Sequence, residues 1–295
     1  MRNVQVIILM ALSLAACSAG KQNTQELPEH VLYMQEDREI LEGLLESLSE
    51  MKDVQVSQLV VEVGSSLLRT PYVAHTLERK EEQLVINLRE LDCTTFAENC
   101  LAIARTLKCE EPDFGQFIAE LQQIRYRDGN LEGYLSRLHY FCDWIHNNQE
   151  KQVIRDMSAE FSGVPLSKQI NFMSTHPESY QQLKDDQELV EAIAGQERGI
   201  MEREMFYIPE DSLSKVEHLL QEGDIVGITT SVEGIAIGHV GILVRKEGRI
   251  HLMHASSVAE KVVVSEETLE EYLKQRKSST GIMVARICNM YDIIH

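Results

Sequence analysis

The chain changes its hydrophobic period twice. Between Val31 and Leu48, apolar residues Leu32, Ile40, Leu44, Leu45 and Leu48 recur at helical spacing among glutamates, which predicts a helix. A second helix is predicted from Ser57, as N-cap, to Leu68, with Pro71 as its stop. The stretch "LVINLREL", residues 84–91, alternates as a half-buried strand does, and "TTFAENCLAIARTL", residues 94–107, returns to helical spacing. In that helix Phe96, Cys100, Ile103, Ala104 and Leu107 share one face, so Cys100 reads as an inert core thiol. Residues 110–220 are mostly helical in pattern, with breaks marked by Pro112, Pro165, Pro177 and Pro209. The period then drops to two: "GDIVGITT", "IGHVGILVR", "GRIHLMHAS", "KVVVS" and "GIMVARI" are short β-branched runs joined by turns. Helices first and strands last predict an α+β fold with an antiparallel sheet.

The strand run contains a hairpin whose register can be worked out. A two-residue turn at Glu247-Gly248 sets Arg245 opposite Ile250 and Gly241 opposite His254. With period two, His239 and His254 then share a face, while His251 falls opposite Val244 on the other. Gly241 leaves room beside it for an imidazole. His239 and His254 can therefore act as a base and the group that orients it. The remaining histidines, His30, His75, His139, His146, His176 and His218, read as isolated surface residues, and His295 is terminal.

A thiol placed to use such a base occurs in "LDCTTF". Asp92 can cap the helix whose first turn holds Cys93, and unpaired amides at a helix start favour a thiolate and can hold an oxyanion. The helix dipole predicts a lowered thiol pKa.

Charge and the N-terminus then narrow the setting. The net charge is −19, from 47 acidic and 28 basic side chains, which argues against nucleic-acid binding. The opening "MRNVQVIILMALSLAAC" has one Arg, an apolar run and small residues, the layout of a secretory signal rather than a spanning helix. Leu14-Ala15-Ala16-Cys17 resembles a bacterial lipobox, with cleavage before Cys17 and lipid on its thiol. The polar residues up to His30 would be a tether, giving a chain anchored to a membrane without crossing it. Setting Cys17 aside leaves an odd number of cysteines with no CxxC pair, which fits neither a disulfide framework nor structural zinc.

Together, "TPYVAHTLE", "LDCTTF", "GDIVGITT", "GHVGILV" and "MHAS" resemble the NlpC-type cell-wall cysteine hydrolases, which are papain-like amidases and peptidases. "ELDCTTFAEN" and "RYRDGNLEGYLSRLHYFCDWI" bring the resemblance closest to the N-acetylmuramoyl-L-alanine amidase-like branch, over roughly residues 55–290. The resemblance implies a papain-like core, its nucleophile helix packed on an antiparallel sheet, with a large mostly helical insertion at about 110–220. It implies Cys93 as nucleophile, His239 as general base, His254 as its orienter, and Tyr72 near the thiol against the tetrahedral intermediate. Two positions depart from the family pattern: Arg69 stands where Gly usually precedes Thr-Pro-Tyr, and Ala74-His75 replaces an aromatic-Gly-Gly step.

The expected organisation is a signal peptide at 1–16, a lipidated tether at 17–30 and one catalytic domain at 31–295. The expected activity is cysteine-dependent hydrolysis of peptidoglycan or its fragments (muropeptides), at the amide between N-acetylmuramic acid and L-Ala, with no metal or organic cofactor. A γ-D-glutamyl stem-peptide endopeptidase would use the same triad, a thiol acyltransferase would differ only in its acceptor, and a non-catalytic wall-binding lipoprotein is the reading of another class. Arg125, Arg127 and Arg137 stand out in an acidic chain as candidates for stem carboxylates, while Trp144 reads as core. The insertion is expected to wall the cleft and favour released fragments over intact wall. The lipid would place the enzyme at the outer membrane, facing the periplasm.

Overall fold

The computed structural model describes residues 30–289. The signal segment and Cys17 lie outside the described residues, as does all of the tether except His30. Among the described residues no helix is long and apolar enough to cross a membrane.

The first half of the chain builds the support for Cys93. Strand β1 (Val31–Leu32) pairs in parallel with β2 (Leu84–Val85), and α1 (Gln35–Ser47) follows β1. Helix α2 (Val56–Ser66) starts two residues earlier than its pattern suggested, with Gln55 and not Ser57 at the N-cap. It buries Leu59, Val60 and Val63 completely beside α3 (Cys93–Leu107), which buries Phe96 and Leu101. Each such aliphatic contributes about 1.5–3 kcal/mol when removed from water. The predicted strand at 84–91 is only its first two residues. Beyond Val85, Asn87 accepts the backbone N–H groups of Arg89 and Glu90 and makes a turn. The buried carboxylate of Asp37 on α1 fastens that turn, taking the Leu88 amide at 2.8 Å and Arg89 Nε at 3.0 Å. The chain thus enters α3 from a fixed direction.

The middle of the chain is less helical than predicted. Helices α4 (Phe114–Arg125) and α5 (Phe141–Glu150) lead into strands β3 (Ile154–Asp156) and β4 (Val164–Pro165), then short α6 (Phe172–Thr175), long α7 (Gln187–Met201), strand β5 (Phe206–Pro209) and short α8 (Leu213–Val216). Pro165 and Pro209 therefore lie in strands; Pro165 sits on the outermost strand, where its missing N–H leaves no inner ladder broken. The segment is not a separate helical block.

The last part holds β6 (Ile225–Thr230), β7 (Ile237–Lys246), β8 (Arg249–Ser256), β9 (Lys261–Thr268), α9 (Leu269–Lys274) and β10 (Ser279–Ile287). The sheet runs β4-β5-β10-β6-β7-β8-β9, and β3 also pairs with β10, farther along it than β5 does. The pairs of the main sheet are antiparallel, so the α+β reading holds. The β7–β8 hairpin has the register derived above, with Arg245 opposite Ile250 and Val244 opposite His251. Its turn residues have positive φ, 53° at Glu247 and 83° at Gly248, as a type I′ turn needs.

Candidate active site

Cys93 is the first residue of α3. Asp92 at the N-cap accepts the Thr95 amide at 2.8 Å and the Thr95 hydroxyl at 2.9 Å, while the Asp92 amide donates to Thr95 Oγ1. This closed cap fixes the first turn and leaves the thiol facing a cleft of 390 Å³, where it is half-buried. Tyr72, Asp92 and His239 line the same cleft. The Val240 amide, one residue beyond His239, and the hydroxyl and amide of Thr94 hydrogen-bond the sulfur. These donors do not produce the expected thiolate. Burial comes first and the Asp92 charge second in raising the thiol, which is pushed up to about 11. The expected lowering at the helix start is thereby corrected.

His239 and His254 form a direct pair: Nε2 of His239 lies 2.7 Å from Nδ1 of His254, with the rings edge to face. Burial, with the Arg276 charge second, brings His239 down to about 4. Burial, then His239, then Arg276 bring His254 down to about 3. Both imidazoles are neutral at ordinary pH, and Nδ1 of His239 remains the nitrogen available to the thiol. At ordinary pH the cleft thus holds a neutral thiol and a neutral imidazole.

Backbone irregularity sets the base as much as the hairpin does. In the β6–β7 ladder His239 pairs with Ile228 and Ile237 with Thr229, so Gly238 is the extra residue of a bulge. Bulges increase local twist and re-aim side chains, and this one immediately precedes the imidazole. The role expected of Gly241 is different. A Cβ there would meet Leu252 Cδ1 at 2.6 Å, so the glycine makes room for Leu252 rather than for a histidine. His251 is buried away from the pair, its Nδ1 3.1 Å from the Ser265 carbonyl.

Tyr72 is held between the chain before Cys93 and the β8–β9 turn, its amide donating to the Glu260 carbonyl and the Leu91 amide to the Pro71 carbonyl. Its hydroxyl is held above the usual phenol range by burial, then by the charges of Cys93 and Asp92, and stays a donor.

The three arginines chosen from sequence are committed elsewhere. Arg125 and Arg137 line the cleft, but Arg125 pairs with Glu98 at 2.7 Å and donates to the Val85 carbonyl, and Arg137 pairs with Glu78 at 2.6 Å and Glu82 at 3.4 Å. Arg127 does not reach the cleft; it is clamped on Asp143 at 2.6 Å, which Arg203 shares. Trp144 is fully buried and stacks on Phe141. His139 is not a surface residue: it lines the cleft, bound through Nε2 to the Tyr134 carbonyl at 2.8 Å. The middle segment supplies much of the wall, including Tyr140, Phe141 and Tyr180. Both departures from the family pattern have left-handed backbone, φ 76° at Arg69 and 62° at His75, the conformation that glycine adopts without strain.

Sequence reasoning missed the back of the site. Tyr272 and Arg276, on and just after α9, stand behind the histidines: the Tyr272 ring meets His254 edge to face at 5.3 Å, and the Arg276 guanidinium lies 3.2 Å from the Tyr272 centroid. No motif marks either residue. Thr94, adjacent to the thiol, could have been suspected from its position alone. Among the described residues no three His, Cys, Asp or Glu side chains group as metal ligands, and none of Cys93, Cys100, Cys109, Cys142 and Cys288 is in a disulfide.

A family model described as AmiA-like, N-acetylmuramoyl-L-alanine amidase-like, matches residues 62–282. A solved N-acetylmuramoyl-L-alanine amidase from Bacteroides uniformis is 38% identical, with 79% of this chain and 98% of that chain covered and a TM-score of 0.75. A Bacteroides fragilis protein carrying a provisional xylanase name is 41% identical over 77% of this chain and 100% of that one, with a TM-score of 0.73. A Legionella pneumophila protein at 17% identity and a TM-score of 0.68 shares the fold. No curated protein matches the chain.

Proposed function

Because the chain belongs to the AmiA-like, N-acetylmuramoyl-L-alanine amidase-like family, we propose that it is a cysteine amidase that cleaves the bond between N-acetylmuramic acid and L-Ala in muropeptides. The observation that carries this reading is one cleft holding a thiol at a helix start and an imidazole hydrogen-bonded to a second imidazole at 2.7 Å. A thiol–imidazole pair is equipment for acyl transfer. A glycosidase would need two available carboxylates, and of the cleft's three, Glu78 and Glu98 are ion-paired with Arg137 and Arg125 while Asp92 is engaged in capping α3.

In this reading His239 takes the Cys93 proton as the sulfur attacks the lactyl carbonyl. His254 holds the His239 ring through Nε2, so Nδ1 does the transfer. The Cys93 amide and the Tyr72 hydroxyl are the candidate donors to the oxyanion. His239 then protonates the L-Ala nitrogen, the amine leaves, and water hydrolyses the thioester by the same base. The walls from the middle segment support a preference for released fragments over intact wall. The enzyme would be an exported lipoprotein anchored through Cys17 at the outer membrane and facing the periplasm.

The test is mass spectrometry of products from defined muropeptides, with Cys93→Ala as control. Free N-acetylmuramic acid and an intact stem peptide are expected. A product cut after D-Glu would replace this reading with the endopeptidase, and turnover by Cys93→Ala would remove the thiol from the chemistry.

A further inference from the structure

A second cleft of 200 Å³ adjoins the first at the histidine pair. It shares Gly238 and His239 with the first cleft, but it contains His254, Ser256, Tyr272 and Arg276 and lacks Cys93. This division has a chemical meaning if the amidase reading above holds. The acyl group must sit beside the sulfur, and the leaving amine must sit beside the imidazole that protonates it. The two clefts meet at His239, so with the acyl group beside the sulfur and the amine at Nδ1 of His239, a stem peptide continuing past the imidazole would enter the second cleft.

Arg276 is the cation in that cleft. The cleft arginines on the thiol side make short ion pairs, 2.7 Å for Arg125 and 2.6 Å for Arg137. Among the described residues Arg276 pairs with one carboxylate, Glu267, at 3.4 Å, and its side chain is 36% exposed. Its hydrogen bonds to Glu267 and to the Tyr272 carbonyl use Nη1, and the Tyr272 hydroxyl takes a further share of the guanidinium, which leaves part of the fork for a ligand. Stacking on Tyr272 holds the planar fork in place, which is the geometry that reads a carboxylate. Across the cleft, the buried Ser256 hydroxyl accepts the Ala259 amide at 3.1 Å and keeps its own proton to donate. The Arg276 charge reaches both imidazoles and helps hold them neutral.

We propose that Arg276, with the Ser256 hydroxyl, forms a leaving-group subsite that binds a carboxylate of the stem peptide at its second residue. Resting on the proposed amidase activity, this assigns stem recognition to the segment after α9 and not to the arginines of the middle segment.

The experiment compares two substrates, N-acetylmuramoyl-L-alanyl-D-glutamate and its diamide, on wild type, Arg276→Gln and Arg276→Lys. For Arg276→Gln, KM on the acid should rise roughly 10- to 100-fold, the ordinary worth of a charge-assisted hydrogen bond, with little change on the diamide. Arg276→Lys should keep part of the preference for the acid. Equal losses on both substrates would mean that Arg276 only props Tyr272 behind His254, and no change on either would leave it without a role; each outcome overturns the subsite. Should wild type cleave neither substrate, the amidase reading fails separately. The subsite is then decided by calorimetry of L-Ala-D-Glu on Cys93→Ser. Binding that Arg276→Gln weakens would sustain it, and absent or unaffected binding would overturn it.

Discussion

Arg125 offers the sharpest contrast between a cation that binds substrate and one that holds the fold. Its side chain is 2% exposed and that of its partner Glu98 is 3% exposed. Arg125→Met would leave the Glu98 carboxylate in the core with its first cause of perturbation, burial, no longer offset by the guanidinium, and with the Asp92 charge opposing it as well. The Val85 carbonyl would lose its donor too. Breaking a buried pair from one side costs about 3–5 kcal/mol, a large part of the roughly 5–15 kcal/mol that holds a domain folded. Urea unfolding should show this as a lower midpoint with an unchanged slope. Replacing both partners, Glu98→Met with Arg125→Met, should recover much of the loss, because apolar groups of similar volume leave no unpaired charge. Glu98→Gln with Arg125 intact should fall between. If Arg125→Met unfolded at the wild-type midpoint while KM for muropeptides rose, the guanidinium would be reaching substrate and the ion-pair account would be wrong.

The pH profile of kcat/KM should stay level through neutrality and fall on the acid side near pH 4, because His239 is a competent base only above its lowered pKa. An acid limb near 6.5 would mean the imidazole is not desolvated. Iodoacetamide should modify Cys93 slowly at pH 7 and faster toward pH 11, since the thiolate is scarce below that point; rapid labelling at pH 6 would point to an ion pair. Arg69→Gly should raise the unfolding free energy by about 0.5–1 kcal/mol by relieving a left-handed backbone at φ 76°. Arg69→Ala should not, and thermal melts of the two variants separate the outcomes. His254→Ala should lower kcat with little change in KM while His251→Ala stays near wild type; the reverse order would place the orienting imidazole on the wrong face.

What the sequence could convey followed from locality. The histidine pair was legible because a two-residue turn and a period of two fix a hairpin register by themselves, and Cys93 because an N-cap acts within a single turn. Strands β3, β4 and β5 are two to four residues long and take their identity from partners far along the chain, so no periodicity could mark them. The arginines misled for a related reason: whether a cation meets a substrate or an internal carboxylate depends on Glu78, Glu82, Glu98 and Asp143, which only the fold brings to it. The thiol's electrostatics failed to follow the helix-start rule because burial beneath the β7 backbone outweighs the amides. Tyr272 and Arg276 reach the histidines from a six-residue helix with no motif to announce it.

The position of β10 bears on how the protein comes into being. It is the last strand in the described sequence yet lies inside the sheet, with β6 on one side and β3 and β5 on the other. Residues 279–287 lie far down the chain from α3 and its thiol. Until those residues arrive, the β6–β9 ribbon that carries both histidines has no ladder connecting it to β5 and β4. Contacts between such distant parts of a chain form late, because loop closure costs entropy before any contact repays it. Helix α3 packs directly against β7 and β8, so Cys93 and the histidine ribbon can meet before β10 docks. Insertion of β10 between β6 on one side and β3 and β5 on the other is then the late step that joins the two parts of the sheet.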